Sequence, residues 1–404
     1  MLSSLFKLIR LGQRQRRQAR QLLALSTADA QALAEQAAPQ PARVLVVRND
    51  SIGDYLLYRP WLRQLSRVLH ARGQRLTLLA NALWAPLAQA WDAEWCEEIV
   101  AVDFGAFAQD LAYRTKMLQA LGERGFGEAI YPVHVRAEAA ENFLRFLRAP
   151  VRIANEGAHQ PSPWFDLLDA GYSRVLPSTS RVLFEYYRNR EFFENWQEAT
   201  APAAAPPAPV EAPLVLPPSV HEAARALTAA AMAPYVVLFP GASARQKQWA
   251  PHHFAQLAQQ LHQHYGGRYQ FIIAGSAADD KLAQQLIRVA GPQVPLANRC
   301  GQTDLPALAA LLAGAQLVVS NDTVAAHLAV QAGTPSVVLI MGENYGKFFP
   351  YPAELLRAPC QCLFPPSQEQ RFAAGDFSSP PRDPVINEIT VARALAAAQA
   401  LLGS

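Results

Sequence analysis

Cysteine is scarce: Cys96, Cys300, Cys360 and Cys362 are the four in 404 residues. So few, and so scattered, exclude a disulfide scaffold and point to a reducing compartment. Cys360-x-Cys362 has no second pair at ligand spacing, so it reads as an incidental pair rather than half a metal site. No apolar run approaches the ~20 residues that cross a bilayer, so no membrane-spanning helix is expected. A GxxxxGK[ST] loop is also missing, which excludes a Walker A phosphate site.

Acid is missing from the head of the chain. Lys7, Arg10, Arg14, Arg16, Arg17 and Arg20 all precede the first acidic residue, Asp29. Of 36 Lys and Arg, 30 remain to face all 33 acids, so the body is slightly acidic and offers no case for a nucleic-acid partner. Leu2, Leu5, Phe6, Leu8 and Ile9 stand ahead of the basic cluster, and Leu22, Leu23 and Leu25 follow it. There is no small-residue cleavage site, and the apolar part is short for a signal peptide. Residues 1–25 therefore read as an amphipathic helix resting on an anionic inner-leaflet surface, with a solvated extension as the alternative. A helical leader, Ala28 to Gln40, should follow.

What is present is ample core. Half of the residues are hydrophobic and 17% are charged, and the length predicts two domains. From Arg43 onward, apolar β runs alternate with helical stretches. Strands are expected at Val44–Val47, Arg75–Ala80, Glu98–Val102, Glu128–Val133 and Val151–Ala154. Helices are expected after Gly53, near Leu83–Trp91, and over Phe107–Arg124 and Ala137–Arg148; Pro60 should begin or kink the first. This spacing predicts an open parallel sheet covered on both faces. Residues 155–233 break the rhythm, with helical spacing over Arg181–Trp196 and then a stiff Ala/Pro tract, Ala199–Pro218.

The second domain repeats the first. Strands are expected at Tyr235–Phe239, Tyr269–Ala274, Val294–Leu296, Leu317–Val319 and Ser336–Ile340, with helices at Pro251–His264, Ala278–Val289, Leu305–Ala313 and Ala325–Ala332. Residues 341–385 read as irregular, and Ile389–Leu402 as a last helix. The divisions are 1–40 for the basic extension, 41–180 for the first Rossmann-like domain and 181–233 for the connecting helix and linker. The second Rossmann-like domain covers 234–385 and the closing helix 386–404. Two such domains are expected to face each other across a cleft lined by the carboxyl ends of their strands.

The polar turns that end these strands are the candidate sites. Gly241 and Ser243 follow the Tyr235–Phe239 strand, and Lys247 lies four residues beyond Ser243. A glycine lets backbone approach a ligand, and a cation beside helix N-termini suits an anion, most simply a diphosphate. Gly275 ends the next strand. Asp322 and Thr323 open the helix after Leu317–Val319, and His327 lies one turn further on the same face. In the first domain Asp54 follows Gly53, where a carboxylate either accepts a proton from a bound hydroxyl or caps the helix.

In order, these segments resemble the family-9 glycosyltransferases, the lipopolysaccharide heptosyltransferase family. The matching stretches are VLVVRNDSIGDYLLYRPWL, VVLFPGASARQKQWAPHHF, FIIAGSAADDKLAQQL, CGQTDLPALAALLAGAQLVVSNDTVAAHLAVQAGTP and INEITVARAL, spread over residues 43–403. The resemblance implies an α/β protein of GT-B fold. It further implies transfer of a sugar, typically heptose from ADP-heptose, to a growing glycolipid or other surface glycan. The anomeric centre inverts, with no metal and no cofactor beyond the nucleotide-sugar co-substrate. By position it makes Asp54 the base and Lys247 the group that neutralises the departing diphosphate. Gly241, Ser243, Gly275, Asp322, Thr323 and His327 would bind the donor, with Asp279 nearest to the family's ribose-binding acid. It also implies a cytoplasmic, membrane-associated enzyme. Val324 stands where the family has glycine, and residues 80–180 match no acceptor motif. A catalytically degenerate binding protein and a nucleotide-sugar epimerase of the same fold are the alternative readings.

Overall fold

The computed structural model describes residue 17 and residues 19–159, 163–200, 213–230, 233–378 and 385–403. They form two compact units. Described residues up to 181, with 186–200, make unit 1; residues 182–185 and those from 213 onward make unit 2. The expected connecting segment is thus divided. Phe192, Phe193 and Trp196 of the helix Glu185–Thr200 are buried in unit 1, while Leu214, Leu216 and Val220 are buried in unit 2.

Unit 1 holds β1 (Gln40–Arg48), β2 (Arg75–Asn81), β3 (Glu98–Val102), β4 (Phe126–Tyr131), β5 (Val151–Asn155) and β6 (Arg174–Leu176). Every pairing is parallel, in the order β3-β2-β1-β4-β5-β6. Val44 to Val47 are fully buried, which is why that run has no polar alternation. One helix, Ile52–Ala71, runs through Pro60. Burial of Tyr55, Leu56, Leu57, Trp61, Leu62 and Leu65 offsets the ~3 kcal/mol that an interior proline costs.

Several expected elements differ for local reasons. The helix expected over Phe107–Arg124 is two, Phe104–Gln109 and Leu111–Gly122, because the Asp110 carboxylate accepts from the N–H groups of Ala112 and Tyr113 and starts a new helix. Ala137–Arg148 shrinks to Glu138–Glu141 and a 3-10 turn, Asn142–Arg145, where Asn142 turns inward to donate to Asp29 at 2.6 Å. The leader is helical over 19–32 and ends well before Gln40. Leu22, Leu25, Ala32 and Leu33 are buried in unit 1, and Arg114 holds the buried Asp29 through two hydrogen bonds of 2.5 and 2.7 Å. The basic residues up to 16 lie outside the described residues. Among the described residues no helix is long and apolar enough to cross a membrane.

Unit 2 repeats the plan with β7 (Tyr235–Phe239), β8 (Gln270–Ile273), β9 (Leu296–Asn298), β10 (Leu317–Asn321), β11 (Ser336–Leu339) and β12 (Cys360–Leu363). The order is β12-β11-β10-β7-β8-β9, again all parallel. β9 pairs with β8 from Leu296 onward, after Pro295, which has no N–H for the ladder. β12 adds an edge strand inside the stretch read as irregular; its thiols are free and only partly buried. The core gathers around Trp249, whose ring N–H donates to the Ile389 carbonyl at 2.7 Å. Ala394, Ala397 and Ala398 of the closing helix Val391–Leu402 pack into it. In each sheet the strand order reverses beside the first strand, β1 in unit 1 and β7 in unit 2. Those are the switch points where α/β sheets bind ligands.

Candidate functional site

In unit 1 the chain leaves β1 through Asn49-Asp50-Ser51 and enters the helix at Ile52. The turn is clamped from its neighbours: Asn81 Nδ2 donates to the carbonyls of Asn49 and Asp50, both at 3.0 Å, and Trp84 Nε1 donates to the latter at 3.0 Å. Tyr131 adds a 2.9 Å bond to Asn49 Oδ1. Asp54 lies in the first helical turn, half-buried, and its Oδ2 accepts from the Ser51 N–H at 3.2 Å and from the Ser51 hydroxyl. Capping uses that one oxygen. No described residue donates to Oδ1, so the cap and a proton-accepting role are compatible.

Unit 2 brings most of the donor candidates to the carboxyl ends of β7, β8 and β10. Gly241 and Gly275 close around Asp279. A methyl group on Gly241 would lie 2.6 Å from the Asp279 carboxylate, and one on Gly275 2.9 Å from it. A side chain at either position would therefore have to displace Asp279, which Ser276 holds in place; no unusual backbone conformation is involved. Asp279 repeats the arrangement of Asp54: its Oδ2 accepts from the N–H and hydroxyl of Ser276, at 2.8 and 2.7 Å. Ser243 is exposed nearby in the chain.

Lys247 ends a short 3-10 turn, Arg245–Lys247, and its ammonium lies 3.2 Å from Glu343 Oε2. Asp322, just past β10, is close enough to feel both charges. Burial raises its pKa above the ordinary carboxylate value, Lys247 lowers it and Glu343 raises it further. Thr323 caps the helix Val324–Ala332 by accepting from Ala325 N, and its hydroxyl also meets Ser320 Oγ at 3.1 Å. Val324, the first helical residue, is half-buried. His327 is not at the rim: it is 4% exposed, bonded through Nδ1 to the Tyr351 hydroxyl at 2.7 Å and packed on Phe349. Burial pushes its pKa down to about 3, so it is neutral.

Three contributors escaped the sequence reading. Asn321 is fully buried and joins β10 to the loop after β7, donating to Pro240 O at 2.8 Å and accepting from Trp249 N at 3.1 Å. Its place beside Asp322 was the available signal. Glu343 had none, since its pairing with Lys247 joins distant loops. Asp50 was legible as a second acid one helical turn before Asp54. Among the described residues no group of three or more His, Cys, Asp and Glu side chains is arranged to hold a metal.

Two Rossmann-type units of identical strand order, each with its polar loops at the switch point, define the GT-B class of fold. Residues 188–356 match the model for "Glycosyltransferase family 9 (heptosyltransferase)". Over 109 residues the chain is 30% identical to lipopolysaccharide heptosyltransferase 2 of Salmonella typhimurium. That alignment spans 26% of this chain and 30% of the length of the curated relative. A family 9 glycosyl transferase from Veillonella parvula superposes with a TM-score of 0.62 at 16% identity, covering 91% of this chain and 99% of that one. The E. coli heptosyltransferase WaaC with ADP-2-deoxy-2-fluoro heptose gives 0.62 at 17% identity, covering 89% and 99%. The segment that matches the glycosyltransferase family 9 model holds all of the donor candidates from Gly241 to His327.

Proposed function

We propose that the chain is an inverting glycosyltransferase that moves a sugar from a nucleotide diphosphosugar, ADP-heptose, to a lipopolysaccharide-type or other cell-surface glycan. The observation that carries this reading is the loop cluster of unit 2: Gly241 and Gly275 closed on Asp279, with Lys247 beside Asp322. It lies wholly within the segment that matches the family. The likeness to a heptosyltransferase described with an ADP-heptose analogue supports the choice of donor.

In this mechanism Asp54 takes the proton from the acceptor hydroxyl through Oδ1. The hydroxyl oxygen attacks the anomeric carbon, the bond from that carbon to the phosphate oxygen breaks, and the configuration inverts. The nucleoside diphosphate leaves with the bonding electron pair, and Lys247 offsets its charge in a partly desolvated setting. Asp279 Oδ1 is left to accept from a ribose hydroxyl. The protein works in the cytoplasm, held on the inner membrane by residues 1–16 rather than the whole of 1–25, because Leu22 and Leu25 are buried in unit 1. Calorimetry with ADP-, GDP- and UDP-sugars, followed by transfer assays with ADP-heptose, tests the reading. Equal, weak binding of all three would remove the donor assignment.

A degenerate, ligand-binding member is the second reading, favoured by Val324 at the helix start. Binding of ADP-heptose with neither hydrolysis nor transfer would establish it.

A further inference from the structure

An open cavity lies at the other edge of the unit 2 sheet. The helix Val324–Ala332 leaves the carboxyl end of β10 and runs back to Gly333, shortly before β11 begins at Ser336. Arg357 precedes β12 in the same way and stands beside Gly333, where an added methyl group would meet its Cβ at 3.5 Å. Both positions therefore belong to the amino edge of the sheet, opposite the loops that hold Gly241, Lys247 and Asp322. The helix Pro218–Ala230 adds His221 and Arg225, one turn apart on one face. With Val215 and the buried Leu216 these residues line a cavity of about 560 Å³. That volume suits a small molecule, for which sites of ~300–1,000 Å³ are usual.

The lining is basic and includes no acid. Among the described residues neither the Arg225 nor the Arg357 guanidinium makes an ion pair or a side-chain hydrogen bond. Two guanidinium forks and an imidazole thus meet, from separate stretches of chain, beside an apolar wall. We propose that this cavity binds a phosphate group carried on an apolar body. Arg225 and Arg357 take the phosphate oxygens, His221 adds a ring N–H, and Val215 and Leu216 cover the apolar part. Arginine suits the task because its planar fork meets two phosphate oxygens at once and stays charged at every working pH. A cation would find no carboxylate here, and a neutral sugar would leave both guanidinium charges unanswered. The same chemistry is offered by a soluble phosphorylated metabolite and by a phospholipid headgroup. The site shares no residue with the proposed donor loops, and the inference does not depend on them.

Calorimetry of the full chain with hexyl phosphate, inorganic phosphate and hexanol tests the proposal. Hexyl phosphate should bind about tenfold tighter than inorganic phosphate, as burial of about two methylenes gives, and hexanol should not bind. Arg225→Ala and Arg357→Ala should each weaken hexyl phosphate about tenfold, and Arg225→Lys and Arg357→Lys should recover part of the loss. Both arginines are exposed, so these changes leave the core of unit 2 in place. In Lys247→Ala, which disables the proposed donor loops, hexyl phosphate should still bind. Equal affinity in wild type and in the double variant Arg225→Ala/Arg357→Ala would overturn the proposal. So would loss of binding in Lys247→Ala, or equal affinity for hexyl and inorganic phosphate. Co-sedimentation with phosphatidylglycerol vesicles separates the two sources. Weaker sedimentation of the double variant assigns the cavity to a lipid headgroup; unchanged sedimentation, with hexyl phosphate binding weakened, assigns it to a soluble phosphorylated ligand.

Discussion

Replacing Lys247 with alanine is the most direct probe of the proposed donor site. In the structure Lys247 is 19% exposed and its ammonium sits 3.2 Å from Glu343, so a diphosphate must compete with that carboxylate. A partly exposed ion pair is worth about 0–1 kcal/mol, whereas a hydrogen bond between charged groups contributes about 1.5–3 kcal/mol. The phosphate should win that competition and draw the ammonium to itself. Lys247→Ala removes this contact and leaves Asp322 and Glu343 unopposed, so ADP affinity should fall about 10- to 150-fold. Adenosine, which has no phosphate, should bind both proteins alike. Glu343→Gln should act in the opposite sense and tighten ADP. Calorimetry with ADP and adenosine reads all of these. Unchanged ADP affinity in Lys247→Ala would refute the reasoning and remove this loop cluster as the diphosphate site.

Asp54→Asn should lose ~10²–10⁴ in turnover with little change in donor affinity, because asparagine can still accept from Ser51 while no longer taking a proton. Steady-state kinetics with ADP-heptose check this, and near-normal kcat would count against it. Removing residues 1–16 should release the protein from anionic vesicles, with Lys7, Arg10, Arg14 and Arg16 each worth on the order of 1 kcal/mol at low salt. The cut must stop there, because Leu22, Leu25 and Asp29 belong to the core of unit 1; equal co-sedimentation of both forms would exclude the anchor. His327 gives a stability signature in acid. Its folded pKa of about 3 lies below the usual 6.5, so its contribution is complete above about pH 6.5 and is lost as the pH falls through about 3. Denaturation at pH 7, 5 and 3.5 should show a smaller acid loss for His327→Gln than for wild type.

The two-domain α/β plan was readable because its evidence is local. Buried parallel strands such as Val44–Val47 and Tyr235–Phe239 must be continuously apolar, and Gly, Pro and Asp mark the turns between them. The glycines after β7 and β8 and the acids at the helix starts were visible for the same reason. β6 and β12 were not, since short edge strands such as Cys360–Leu363 bury little and need no apolar run.

What only tertiary structure decided is which polar groups meet. The sequence placed His327 one turn beyond Thr323, on a face that could equally have met a ligand or the core. Packing against Phe349 and Tyr351 put it in the core and made it neutral. Glu343 reached Lys247, and Asp279 came to lie across Gly241 and Gly275, through loops that the folded sheet carries to one edge. Asp50 was plain in the chain, but its raised pKa needed burial and the neighbouring charge of Asp54, which together outweigh the opposing pull of Arg48. Periodicity determines the elements because it reflects each residue's own solvation. Pairings and proton affinities depend on distance and desolvation, which exist only once the elements have packed.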